Sequence, residues 1–288
     1  MKFSKTMKAA GLALGLGLSA VLAGCGNSSS SEKSDPTIEL AYVEWDTEVA
    51  STNVIAEVLK EEGIKVKTTS LDNAVMWEAV ANDKADAMVA GWLPHTHGAQ
   101  YDKYKDQLED LGVNLKGAKI GLVVPDYMKV DSIEDLKDQA KKEITGIEPG
   151  AGIMGATEKA LKDYKNLSDW KLKQSSSGAM TVALGQAIKK KEDIVITGWA
   201  PHWMFQKYDL KFLKDPKKVY GGEEQIHTFA SKKLKEKSPD AYKILKNFNW
   251  TTDDIESVML DIHDGTPPEQ AAKTWIKENQ TKVAEWTK

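Results

Sequence analysis

The stretches that decide the fold are Gly91-Trp92-Leu93-Pro94-His95 and Gly198-Trp199-Ala200-Pro201-His202, two copies of one pentapeptide with a single variable position. Each copy follows a short apolar run, at 87–90 in the first half and at 194–197 in the second, that is typical of a strand. In an open α/β sheet, ligands bind beyond the carboxyl ends of the strands. The repeat therefore predicts two equivalent corners that each present a tryptophan to a shared cleft.

The elements around the two pentapeptides repeat in the same order. Matching patterns are separated by a nearly constant offset of about 105 residues, which is typical of an old internal duplication. Strand and helix alternate, which predicts two α/β lobes with mainly parallel sheets and a cleft between them. The predicted elements are strands at 38–43, 64–68, 144–147 and 170–172 and helices at 51–60, 76–80, 155–161 and 179–188.

The amino terminus has the pattern of an export signal. Three lysines precede an apolar run over 9–22, which predicts a signal peptide over 1–24. Cys25 follows at the position of a bacterial lipobox, and the alternative is an ordinary cleaved signal beside an accidental cysteine. Residues 25–36 are rich in serine and charge, which predicts a flexible, lipid-anchored tether.

Composition excludes several classes of function. Cys25 is the only cysteine, so no intrachain disulfide can form. The net charge of −4 and the absence of a basic block argue against nucleic-acid binding. The five histidines lack the spacing of metal ligands. All 39 basic residues are lysine, so a bound carboxylate would have to be held by backbone amides, histidine or lysine.

The turns that follow the first strand of each half differ in chemistry. Residues 44–48 present Trp45 together with carboxylates, whereas residues 148–154 form a glycine-containing turn before a helix. Free backbone N–H groups at such a helix start favour an anion, while tryptophan faces attract a cation. A zwitterion with a bulky cation and a carboxylate would satisfy both turns.

The chain resembles the glycine betaine-binding proteins of ABC importers in their Gram-positive lipoprotein form. Four motifs carry the resemblance, at 42–48, 91–97, 148–154 and 197–205. It implies a two-lobed type II periplasmic-binding-protein fold with the ligand in the cleft. We expect lobe 1 over 37–143 and lobe 2 over 144–288, with the C-terminal helices packing back on lobe 1.

The resemblance also implies which residues bind the ligand. Three indoles form a prism around the quaternary ammonium group, a histidine holds the carboxylate, and two backbone amides assist it. By motif these are Trp45, Trp92, Trp199, His97, Gly152 and Ile153. A quaternary ammonium has no N–H to donate, so aromatic faces are a better way to select it than hydrogen bonds. An unperturbed histidine would make the affinity change below about pH 6.5.

The expected function is capture of glycine betaine, or of a related zwitterion such as proline betaine, for an osmoprotective ABC importer. The protein would be a monomer, anchored through Cys25 at the extracellular face of the cell membrane, and would partner the importer permease. No cofactor, metal or catalysis is expected. The alternatives are the same fold binding carnitine, choline or another amine or amino acid, and a secreted hydrolase using Asp46 or Glu48.

Several aromatic residues have structural explanations. Trp77 lies in a helical pattern typical of core packing. His95 and His202 each follow the proline of their pentapeptide, at a turn. Each is expected to form a structural hydrogen bond to its loop. For Trp203, a cleft wall and packing between the lobes are equally compatible with the sequence.

Overall fold

The computed structural model describes residues 36–288 of the chain. The predicted signal peptide, Cys25 and nearly all of the predicted tether lie outside the described residues. No helix in the described part is long and apolar enough to cross a bilayer.

The strands form one curled sheet, and the three strands at each end of it are arranged in the same order. The strands are β1 (Ile38–Tyr42), β2 (Val66–Ser70), β3 (Ala87–Leu93), β4 (Leu108–Pro125), β5 (Glu143–Thr145), β6 (Lys171–Lys173), β7 (Val195–Ala200), β8 (Leu210–Phe212) and β9 (Glu224–Ser231). Their order is β2-β1-β3-β9-β4-β7-β5-β6, with β8 also paired to β4. In the first part β1 is parallel to β2 and β3, and in the second part β5 is parallel to β6 and β7.

Long antiparallel strands join these two parallel groups. Residues 108–118 of β4 pair with β9, whereas residues 119–125 pair with β7 and β8. The chain thus passes from the first group to the second inside β4 and returns between β8 and β9. The lobe bounds of 37–143 and 144–288 stay a prediction, and strand pairing favours a first crossing nearer residue 118.

Helices cover the sheet, and their bounds extend the predicted ones. They are α1 (Asp46–Glu61), α2 (Asn73–Ala81), α3 (Gly98–Tyr104), α4 (Gly152–Asp163), α5 (Ser177–Lys190), α6 (Met204–Lys207), α7 (Leu234–Lys237), α8 (Pro239–Asn247), α9 (Thr252–His263), α10 (Pro268–Glu278) and α11 (Gln280–Thr287). Helix α1 packs against α9 and α10, so the C-terminal helices lie beside the first parallel group.

Helix α1 is held in position by its first turn and by its buried apolar face. Trp45 caps it in extended backbone geometry, and the carboxylates of Asp46 and Glu48 lie in that turn. Negative groups there are favoured by the helix dipole. The apolar side chains of Val54, Ile55 and Val58 are fully buried, which fixes the helix on the sheet and aims its N-terminus at the strand ends.

Residues 132–135 have the sequence of a capping box, which predicts a helix start, yet the structure has a single 3₁₀ turn over Ile133–Asp135. The Ser132 capping box is present, but the following residues leave helical geometry at Leu136. A cap satisfies the first amides of a helix and cannot by itself supply the buried face that sustains one.

Candidate functional site

A cavity with an empty volume of about 320 Å³ lies where the carboxyl ends of β1, β3, β5 and β7 meet. Its wall is almost entirely apolar and contains every residue predicted to bind the ligand. The lining residues are Trp45, Thr47, Trp92, Thr96, His97, Ile120, Ile147, Ala151, Gly152, Ile153 and Trp199.

Trp45 enters the cavity from the start of α1. Its Nε1 donates a hydrogen bond to Oε1 of Glu148, which lies on the turn after β5. Its indole is stacked on His97, with 5.9 Å between ring centroids and 19° between planes. Trp45 is therefore held from both parallel groups of the sheet.

Trp92 enters from the end of β3 and is fixed by its indole N–H. Nε1 donates to Oε1 of Glu48 at 2.8 Å, and the other oxygen of Glu48 accepts a bond from Thr47 Oγ1 at 2.6 Å. The carboxylate of Glu48, on α1, thus lies at the N–H edge of the Trp92 ring, while Thr47 lines the cavity. Both oxygens of Glu48 are engaged in orienting neighbours.

Trp199 enters from the end of β7, where it pairs with Ile120 of β4. Its Nε1 is buried and has no hydrogen-bond partner among residues 36–288. The ring meets the imidazole of His202 edge-on, with 4.8 Å between centroids. Packing alone therefore orients this third indole.

His97 is fully buried and presents one free donor. The backbone N–H of Trp92 donates to its Nδ1 at 3.1 Å, and a backbone N–H can only donate. Nδ1 also lies 3.1 Å from the carbonyl oxygen of Ala90; with the Trp92 amide as its partner, the proton of the neutral ring is assigned to Nε2. Nε2 has no partner in the described part of the chain, and His97 lines the cavity. The site thus has a neutral N–H donor beside Trp45.

The expected change in affinity below about pH 6.5 is corrected by this environment. Burial without a compensating negative charge lowers the pKa of His97 to about 4, although the carbonyl of Ala90 acts in the opposite direction. In the ligand-free protein His97 stays neutral between pH 5 and 8. His97 can make the affinity depend on pH in that range only if a bound carboxylate raises its pKa.

The first turn of α4 supplies the opposite polarity to the indoles. Gly152 and Ile153 begin the helix and line the cavity, and the first amides of a helix have no intrahelical acceptor. A Cβ on Gly152 would lie 2.2 Å from the carbonyl oxygen of Thr96. Only glycine permits this approach between α4 and the loop after β3.

Asp46 joins the two groups of elements at the rim of the cleft. Its carboxylate accepts bonds from Trp203 Nε1 at 2.7 Å and from Ser177 Oγ at 3.1 Å, and lies 3.4 Å from His202 Nε2. Trp203 also stacks on His263 of α9, with 3.5 Å between centroids. Trp203 does not line the cavity, so its packing explanation is the one the structure supports.

Two neighbouring carboxylates have opposite pKa shifts. Burial alone would raise the pKa of Asp46, but the nearby His202 ring and the hydrogen bonds from Trp203 and Ser177 outweigh it and hold the pKa at about 2. Burial dominates for Glu48 and raises its pKa to about 7. Perturbed carboxylates often mark active sites, yet neither of these lines the cavity. They support the indoles and do not face a substrate.

Other predicted roles fall away from the cavity. Trp77 is fully buried against His97 and Phe229. The His202 ring accepts a bond from the Met204 amide at 3.1 Å, as expected of a loop-holding residue. Among residues 36–288, no group of three or more histidine, cysteine or carboxylate side chains could hold a metal ion.

Sequence reasoning missed the residues that hold the indoles. Glu148 accepts both from Trp45 Nε1 and from the Ser177 amide, and Glu48 and Asp46 hold Trp92 and Trp203. The one signal for Glu148 was its place at the same turn of the second half that Trp45 and its flanking carboxylates occupy in the first. Trp45 and Glu148 are 103 residues apart in the sequence, and Asp46 and Trp203 are 157 apart, so only tertiary structure brings these partners together.

Aromatic faces opposite a helix N-terminus, at strand ends of two similar halves, are features of a solute-binding protein. The chain belongs to the family OpuAC, the substrate binding domain of ABC-type glycine betaine transport systems, whose model matches residues 36–278.

Relatives agree with this family. The chain is 61% identical to lactococcal OpuAC, whose crystal structure is described as closed, liganded and complexed with glycine betaine. That match covers 88% of this chain and 100% of the other, with a TM-score of 0.86. A ProX structure from Borrelia burgdorferi, described as a glycine betaine, L-proline ABC transporter binding protein, matches at 33% identity over 88% and 97% of the chains, with a TM-score of 0.84.

A curated relative matches over a shorter stretch. The glycine betaine/carnitine transport binding protein GbuC of Listeria monocytogenes is 56% identical over 158 residues, or 54% of this chain. The chain spans about half the length of that relative, 53% in this alignment. The fold and family are established by these matches together, and the family's transport role agrees with the expectation of a binding protein.

Proposed function

We propose that this protein captures glycine betaine, or a related zwitterion such as proline betaine, and delivers it to an ABC importer for osmoprotection. The observation that carries the proposal is the lining of the cavity: indole rings of Trp45, Trp92 and Trp199 with the neutral His97 and the first turn of α4. A desolvated cation gains about 2 kcal/mol or more from a well-placed aromatic face. A few such faces supply much of a micromolar affinity, about 8 kcal/mol.

The carboxylate of the ligand would lie at the other end of the cavity. His97 Nε2–H and the amides of Gly152 and Ile153 are the donors proposed to hold it, since the chain contains no arginine. Neutral donors and a helix N-terminus suit one negative charge. Choline, which lacks the carboxylate, would leave these donors unpaired and is expected to bind more weakly than glycine betaine.

Delivery requires a change of shape. We propose that two lobes close on the ligand, bending where the chain crosses within β4 and between β8 and β9, and that ligand stabilises the closed form by contacting both. The closed form would dock on the importer permease. Attachment through Cys25 at the extracellular face and a monomeric state complete the proposal.

Replacement of His97 by glutamine should weaken binding of glycine betaine about 10- to 100-fold, because a hydrogen bond to a charged group contributes about 1.5 to 3 kcal/mol. Calorimetric titration of the protein lacking its signal and Cys25 measures this, with glycine betaine, proline betaine, carnitine, choline and proline as ligands. Choline binding should change little in the variant, since choline has no carboxylate.

His227→Gln is the matched control, because His227 contacts Asp110 and does not line the cavity. An equal loss for choline and glycine betaine in His97→Gln would show that the variant perturbs the site as a whole. Absence of heat with every quaternary ammonium, from protein shown to be folded, would contradict the proposed function. Tightest binding of carnitine, choline or an uncharged amino acid would favour the alternative ligands.

A further inference from the structure

The indole N–H groups around the cleft share an unusual acceptor. Trp45, Trp92 and Trp203 all donate to a carboxylate, which belongs to Glu148, Glu48 and Asp46 respectively. An anionic acceptor at Nε1 makes a strong, directional bond and places negative charge behind a ring whose face attracts cations. Two of the three indoles that line the cavity, those of Trp45 and Trp92, therefore have a carboxylate at their N–H edge.

Glu48 differs from the other two carboxylates. Its side chain is only 1% exposed, and within residues 36–288 it forms no ion pair. Thr47 and Trp92 are its hydrogen-bond donors, at 2.6 and 2.8 Å, and neither carries a charge. Burial of an unpaired carboxylate is costly in a folded protein. Glu48 has no positive partner among residues 36–288, and burial therefore raises its pKa, so that it keeps its proton to a higher pH than an exposed glutamate.

The geometry points to the ligand as the missing counter-charge. We infer that Glu48 is a positioning residue that holds the Trp92 indole and, in its ionised form, is the negative charge that the cationic group of the ligand compensates through that ring. The inference rests on the proposed function. It adds that entry of the cation and loss of a proton from Glu48 are linked.

The groups around Glu48 allow the sign of the effect to be worked out. Burial is the larger cause of the rise in the pKa of Glu48 to about 7. Asp46, which also lies in the first turn of α1, raises the pKa of Glu48 further by like-charge repulsion. A cation beyond Trp92 lowers that pKa, so the ionised form dominates in the complex. Affinity for the cation should therefore rise as the pH increases through about 7.

His97 cannot produce the same trend. His97, across Trp92, gains a proton only at low pH, and a charged His97 beside the ligand carboxylate would strengthen binding in acid. His202 and His263 lie near Asp46 and Trp203 at the rim, so the Glu48 variant is needed to separate their effect from that of Glu48. Weaker binding in acid that disappears in Glu48→Gln thus identifies Glu48, whereas stronger binding in acid identifies His97.

The test compares wild type with Glu48→Gln, which keeps an oxygen acceptor for Trp92 and removes the charge. Glycine betaine is titrated calorimetrically at pH 5.5, 7 and 8.5 in buffers of different ionisation enthalpy. Between pH 5.5 and 8.5 the wild-type affinity should rise about three- to tenfold, since charges at this range interact appreciably in a protein interior. Part of a proton should be released per ligand at pH 7, and Glu48→Gln should remove both effects.

Two controls separate charge from structure. Glu57→Gln alters another buried carboxylate of α1, one that pairs with Lys60 far from the cavity, and should leave the pH profile unchanged. The isostere 3,3-dimethylbutyrate has the shape and carboxylate of glycine betaine, with a neutral tert-butyl group in place of the cation, and its affinity should not fall in Glu48→Gln.

The outcomes are distinguishable. Wild-type binding with no proton release and no rise in affinity with pH overturns the inference and leaves the proposed function intact. Absence of wild-type binding at every pH overturns both. Should Glu48→Gln fail to fold, the wild type still tests the inference: proton release with affinity that rises through about pH 7 supports it, and absence of release or proton uptake overturns it.

Discussion

Gly152→Ala should lower the affinity for glycine betaine about 10- to 100-fold while the ligand-free protein keeps its stability. The added Cβ would lie 2.2 Å from the carbonyl oxygen of Thr96 and 2.8 Å from its Cγ2, so backbone has to move. Overpacking of this kind costs about 1 to 3 kcal/mol. Because Thr96 follows β3 and Gly152 begins α4, the movement separates the two walls of the cavity.

Thr96 cannot easily yield to the new methyl group. Its amide and hydroxyl, together with the amide of His95, are all held by the buried carboxylate of Glu224. We therefore expect the strain to be relieved by opening of the cleft. In the proposed open form Gly152 and Thr96 move apart, so the methyl group would no longer meet Thr96. Alanine is a better helix residue than glycine, which is why ligand-free stability should not fall.

Gly155→Ala is the matched control for this prediction. Gly155 lies on the same helix one turn later, and a Cβ there has no atom within 4 Å. Calorimetry measures the affinity of both variants, and thermal unfolding without ligand measures their stability. Equal affinity in wild type and Gly152→Ala would mean that the close approach of Gly152 and Thr96 is not required for binding.

The sequence allowed the cavity walls to be predicted because they lie on repeated local patterns. Trp92 and Trp199 end equivalent strands, and a strand end is recognisable from its apolar run and the turn residues that follow. The turn at 148–154 was identifiable from its glycines before an apolar helix. Local patterns of this kind survive duplication, which explains why both halves could be interpreted by comparison with each other.

The parts that could not be predicted depend on contacts between distant segments. Strand β9 is paired on both sides, with β3 and β4, although its sequence mixes polar and apolar residues without a clear period. The sequence did not predict the full length of β4, because the part that pairs with β9 contains Gly112 and Gly117. Both glycines have positive φ, and the pairing is interrupted near them. Neighbouring strands stabilise segments that have little strand preference of their own.

The titration properties of the site were beyond the sequence for the same reason. Glu48 and Asp46 are two residues apart, yet their pKa values are about 7 and about 2. The difference arises because Asp46 meets donors from α5 and from the turn before α6, while Glu48 points into the protein behind Trp92. No spacing rule along the chain distinguishes these two environments.

Trp199→Ala should weaken glycine betaine binding about 30-fold or more, because one desolvated aromatic face contributes about 2 kcal/mol to a bound cation. Its ring has no hydrogen bond at Nε1 among the described residues, unlike Trp45 and Trp92, so the substitution removes a cavity wall without leaving an acceptor unpaired. Trp199→Phe keeps a smaller aromatic face and should lose less, about three- to tenfold. Calorimetric titration measures both variants.

The chemistry of the ligand decides whether Trp199 acts on charge or only on shape. Glycine betaine and 3,3-dimethylbutyrate differ in the charge of one central atom. Attraction between a cation and the ring therefore predicts that Trp199→Phe lowers the affinity for glycine betaine more than the affinity for 3,3-dimethylbutyrate. Trp170→Phe is the matched control, since both tryptophans are 5% exposed and Trp170 lies outside the cavity. Equal losses for the two ligands would show that Trp199 selects by volume, and the cage would then be apolar packing around a charge that other groups, Glu48 among them, must balance.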